Sequence, residues 1–178
     1  MSKNGPFGLW MGMTLEDIGG EPEEIAAWRY QIATVPRPHS AFEAYVLQIT
    51  PQCGLSWIKG IGLTIETSIY GVELRTSFDT LEQKLSATYG RSKRTDLLLR
   101  GSIWDEPRDW MQALLRKERY LMTEWSSQCH STLSNSLVAV FLAAIAMDTK
   151  NGYLVVEYSF ENKKAAEAEI SEAEDAAL

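Results

Sequence analysis

The sequence predicts an α+β domain with a mainly antiparallel sheet and helices packed on one face, and three observations point there. Residues 137–160, LVAVFLAAIAMDTKNGYLVVEYSF, read as two long strands folded back across 148–152. The first arm is apolar on both faces, as in a strand covered on both sides. The second places Leu154, Val156, Tyr158 and Phe160 on one face and Glu157 and Ser159 on the other. The second observation is spacing. The strand-like runs at 42–50, 55–65 and 69–74 follow one another too closely for helical crossovers, so they form a meander. The third is a pair of runs with helical period, 78–89 and 107–126, that supply apolar stripes to lie on a sheet.

Taken in order, residues 6–11 look like a short strand. Thr14 followed by Asp17 resembles a capping arrangement that opens a helix at 13–18, stopped by Gly19-Gly20. Residues 28–35 read as a strand ended by Pro36-Arg37-Pro38, which cannot continue a ladder. In the run from Leu55, Gly60 and Gly62 suggest a bulge or sharp bend. The helix at 78–89 carries Phe78, Leu81, Leu85 and Tyr89 and stops at Gly90. Residues 97–99 form a short strand. The longest helix is expected at 107–126, opened by Pro107, with Trp110, Met111, Leu114, Leu115, Leu121, Met122 and Trp125 on one side. In the last hairpin, Asn151-Gly152 is the dipeptide that tolerates the positive φ of a turn.

An ungapped match of residues 7–18 on 70–81 (aromatic-Gly-apolar, spacers, hydroxyl, acid) allows a duplicated strand–helix unit. The length of 178 residues fits a single domain over 1–162, or two small halves sharing a sheet, followed by an acidic Ala/Glu-rich tail at 163–178. More than half of the net charge of −7 falls after residue 160, where six acids meet two lysines. The mildly acidic body argues against a nucleic-acid binder. No apolar run is long enough to span a bilayer, and the N-terminus does not read as a secretory signal. A cytoplasmic protein without membrane attachment is expected.

Two cysteines, Cys53 and Cys129, and two histidines, His39 and His130, give no metal-ligand spacing, and neither a metal nor a cofactor is expected. No nucleophile elbow or phosphate-binding glycine loop is present. On a helix over 107–126, Glu118 would fall inside the apolar stripe, where a carboxylate must be paired, neutralised or opened to a cleft. Glu118 is therefore the candidate functional acid, with a structural ion pair as the plainer use. Trp104-Asp105-Glu106 sets an aromatic beside acids, the mixture found at interface anchors, and is the candidate partner-binding segment.

The segment Gly12-Met13-Thr14-Leu15-Glu16-Asp17-Ile18 resembles the Gly-Met-Thr opening of small bacterial domains. These are the outer-membrane-assembly lipoproteins of the SmpA/OmlA type and the β-lactamase-inhibitor-like proteins. The resemblance implies a helical element on an antiparallel sheet, sometimes duplicated, and protein binding. The chain departs from the lipoproteins in showing no leader and no lipid-accepting cysteine, which speaks against an envelope role.

The expectation for function is a protein-binding module, most concretely a bacterial immunity or inhibitor protein that neutralises a toxin or effector. The alternatives are a structural subunit of a larger assembly, or an enzyme using Glu118 with His39 or His130. The oligomeric state is left open.

Overall fold

The structure, a computed structural model, describes residues 4–178; residues 1–3, at the head of the segment read as carrying no secretory signal, lie outside it. The described residues form nine strands: β1 Glu23–Ala26, β2 Arg29–Ile32, β3 Phe42–Thr50, β4 Gly54–Gly62, β5 Ile65–Glu66, β6 Lys93–Leu98, β7 Arg119–Ser126, β8 Leu137–Ala146 and β9 Asn151–Phe160. Four α-helices accompany them: α1 Leu15–Ile18, α2 Val72–Tyr89, α3 Trp110–Leu115 and α4 Lys163–Asp175. The strands make one antiparallel sheet in the order β1-β2-β3-β4-β9-β8-β7-β6, with β5 paired to β9. The expected α+β class is therefore the observed one, and the apolar hairpin β8–β9 occupies the middle of the order.

The chain divides into two compact units. The first contains Met1–Ile61, Leu133–Val140 and Glu157–Leu178; the second contains Gly62–Thr132 and Phe141–Val156. Each is discontinuous in sequence, and β8 and β9 contribute residues to both.

In the first unit the Gly-Met-Thr segment has a physical explanation. The Gly12 amide donates to the Leu55 carbonyl at 2.9 Å, and the Leu55 amide donates to the Met13 carbonyl at 2.8 Å. This bridge holds Gly12 against Gly54, where a side-chain carbon would sit 2.4 Å from the Gly12 oxygen. Met13 is buried, and Thr14 completes the expected reciprocal cap with Asp17 at the start of α1. Residues 6–11 are not a strand: Pro6–Gly8 form a 3-10 turn in which Phe7 takes φ 56°. That turn aims the Phe7 ring edge-on at Phe42, Tyr45 and Tyr158, with centroids 5.4, 4.7 and 5.7 Å away. The strand read at 28–35 is confined to β2, and β4 spans Gly54–Gly62 through Gly60.

The C-terminal segment forms α4, which meets β3. Ala166 is fully buried, and Glu169 Oε1 accepts the Gln52 amide at 3.0 Å in the turn between β3 and β4. Asn162, just before the helix, donates to the carbonyls of Cys53 and Leu55 at 2.9 and 3.1 Å. Burial works to raise the Glu169 pKa, but Thr50, Gln52 and Cys53 around the carboxylate outweigh it and bring it below the usual range. Only the Gln52 amide makes a bond of good geometry, since Oε2 has no partner.

In the second unit α2 lays Leu74, Phe78, Leu81 and Leu85 inward. The helix begins earlier than the sequence suggests, at Val72, which displaces the strand read at 69–74. Gly71 reverses the chain at φ 67°, and Glu73 accepts from the Thr67 hydroxyl and the Ser68 amide, both at 2.8 Å. Those bonds, the Ser68 amide foremost, hold the Glu73 carboxyl below its ordinary pKa. The aligned segments 7–18 and 70–81 thus fold differently: Thr14 caps a helix, whereas Ser77 lies inside α2.

The helix expected over 107–126 is the largest correction. After Trp110–Leu115 the chain turns at Lys117, φ 58°, and continues as β7. Leu121, Thr123 and Trp125 are buried, whereas Tyr120 and Glu124 face out. Tyr120, Thr123 and Trp125 are strand formers, and a period of two fits the segment as well as 3.6 does. Glu118 therefore lies on no helical stripe. Asn151-Gly152 is corrected too: both residues belong to β9, and Asp148 organises the turn by accepting the Lys150 and Asn151 amides at 2.7 and 2.8 Å. Gly152 is small because Leu74 of α2 and the Ile145 carbonyl leave no space; a side-chain carbon would lie 2.8 and 2.6 Å from them.

Candidate functional site

The sequence-derived residues that come together do so in the second unit, along the segment from β6 to α3. β6 pairs with β7 residue for residue, Leu97 opposite Tyr120 and Leu98 opposite Arg119, and it ends the strand order. The ladder runs one bond further, from the Leu99 amide to the Glu118 carbonyl at 2.7 Å. Alternation puts Leu97 and Leu99 on one side, 50% and 42% exposed, with Tyr120 at 37%. A few residues on, Ile103 is 76% exposed, more than any other large apolar side chain of the described residues except the terminal Leu178. Around Tyr120 the surface continues into a groove of about 360 Å³ lined largely by Leu114, Met122, Phe141 and Ile145.

Glu118 holds the loop that carries Ile103. Its carboxylate accepts a short bond from the Ser102 hydroxyl, and the Ser102 oxygen in turn accepts the Trp104 amide at 3.2 Å. Neither histidine is among its hydrogen-bond or ion-pair partners. His39, in the first unit, accepts the Ala41 amide on Nδ1 at 3.1 Å. His130, in the second, closes a 3-10 turn at φ 58°. Glu118 is a positioning residue for the loop. Both cysteines are free and half-buried.

Trp104 is half-buried, whereas Asp105 and Glu106 are exposed and border a cleft of about 270 Å³. Its floor is Trp110, over which the guanidinium groups of Arg75 and Arg119 stand at 5.0 and 5.7 Å. The ring packs directly on Gly71, whose lack of a side chain admits it; a side-chain carbon there would lie 2.2 Å from the indole. Arg75 donates to the Tyr70 carbonyl and Arg119 to Asp96, both at 3.1 Å. The buried Nε of each has no oxygen partner. Glu106 pairs with exposed Arg108 at 2.6 Å. Sequence reasoning missed Arg75 and Arg119, since only folding brings them to Trp110.

Comparison with protein-family models, with curated proteins and with solved structures gives no match. Local chemistry is therefore the guide. Among the described residues no group of three or more His, Cys, Asp and Glu is placed to hold a metal ion, and no helix is long and apolar enough to cross a membrane. What the region offers is exposed apolar area at the end of the strand order, a loop fixed by hydrogen bonds, and a separate cleft bordered by Asp105 and Glu106.

Proposed function

We propose that the protein is a protein-binding module, most concretely a bacterial immunity or inhibitor protein that acts in the cytoplasm by docking onto a toxin or effector. The observation that carries this reading is the exposed apolar pair Leu97 and Tyr120, opposite each other on β6 and β7 at the end of the strand order, with Leu99 and Ile103 exposed just beyond. An apolar side chain held out on a hydrogen-bonded loop loses little freedom when covered, which favours its use as an anchor. The net charge of −7 fits a basic partner, attracted at a distance before the apolar contacts form.

The test is co-expression with the product of the neighbouring gene. The reading expects a 1:1 complex by light scattering and rescue of growth from that product's toxicity. Ile103→Asp should abolish both while leaving the thermal transition of the free protein in place. Higher-order assembly without rescue would support a structural subunit instead. Rescue by Ile103→Asp at the level of the unchanged chain would remove the strip from the mechanism.

A further inference from the structure

A second cleft, in the first unit, is built from α1, the β1–β2 hairpin and the end of β3. It has a volume of about 360 Å³, and its walls include Trp28, Tyr30, Glu16, Thr50 and Pro51. Trp28 closes the hairpin turn in the left-handed region at φ 55°, an unusual conformation for a bulky side chain. It is held there at both ends: its amide donates to Glu24 at 3.1 Å, and its carbonyl accepts the Ile49 amide at 3.0 Å. The indole is thereby set at the cleft beside Tyr30. Burial, with help from the Glu24 charge, raises the Tyr30 pKa, so the phenol stays neutral.

Glu16 sits on α1 at the same cleft and has no hydrogen-bond or ion-pair partner among the described residues. The surrounding segment supplies Asp17, Glu21, Glu23 and Glu24. The nearest base in sequence, Arg29, stands over Trp57 at 5.5 Å. Two aromatic side chains and one unpartnered carboxylate lining one cleft are groups that suit a cation. Among biological cations a guanidinium suits it best, because its plane stacks on rings while its N–H groups meet a carboxylate.

We propose that this cleft binds an arginine side chain presented by a basic segment of a protein partner. The site stands on residues separate from the docking strip, so each can fail without the other.

The test titrates the full chain with a hexa-arginine peptide, a hexa-lysine peptide and a hexa-glutamate peptide, followed by calorimetry at two salt concentrations. The expected result is binding of the arginine peptide, roughly threefold or more tighter than the lysine peptide, and none of the glutamate peptide. Trp28→Ala should weaken arginine-peptide binding about tenfold. Trp28→Phe, which keeps a ring, should retain most of it. Glu16→Gln changes an exposed residue without disturbing the Thr14–Asp17 cap and should cost about three- to fivefold. Ile103→Asp should leave peptide binding unchanged. Equal affinity for the two basic peptides, or a Trp28→Ala protein that binds as well as the unchanged chain, would show diffuse charge attraction and overturn the proposal. No binding of the arginine peptide at low salt would overturn it outright, while growth rescue through the strip remained a separate question.

Discussion

Gly54 shows how much a single missing side chain decides. It lies at φ 65° with the Gly12 backbone pressed against it, and Gly12 cannot retreat while it is bonded to Leu55. Gly54→Ala is therefore expected to destabilise the fold by more than about 1 kcal/mol, read from the urea midpoint. Thr14→Ala, which removes the hydroxyl half of the α1 cap, should cost about 1 kcal/mol by the same measurement. The Thr14–Asp17 cap was legible in the sequence because its partners are three residues apart and the rule is local. Gly152 was not. Its neighbour Asn151 mimics a turn signal, and the side chain that forbids anything larger, Leu74, is far away along the chain.

At the level of elements, strands with one buried face were legible by alternation, and α2 by its apolar stripe and terminal Gly90. The segment 107–126 was misread because its apolar residues satisfy two periods, and the left-handed Lys117 that separates α3 from β7 has no marker in the sequence. The loop that follows β6 depends on Glu118, so Glu118→Ala should speed hydrogen exchange at the Trp104 amide. Glu118→Gln, which keeps an acceptor for Ser102, should restore protection. The docking of α4 depends in part on Glu169. Its pKa is lowered in the fold, so its contribution is complete above the ordinary carboxylate value of about 4.3 and fades as pH falls through the lowered one. Limited proteolysis near residues 161–163 should therefore accelerate in acid, and Glu169→Ala should give that susceptibility at neutral pH.

For the molecule as a whole, the fold class followed from the central hairpin and the close spacing of strands, and the length allowed two halves, whereas the segments that make up each unit were not legible. Each unit is assembled from pieces distant in sequence, and no local pattern records which pieces meet. The charge, by contrast, is fully legible. If a basic partner is recognised as proposed, raising salt from low to physiological strength should slow association much more than it speeds dissociation, measured by stopped flow. The order of the sheet also sets a schedule. β4 lies beside β9, so the ribosome releases the first four strands long before the one that completes their row. A nascent chain paused in between leaves the margin of β4 uncovered until β9 emerges, so slowing synthesis over that interval should raise aggregation during expression, measured as the insoluble fraction.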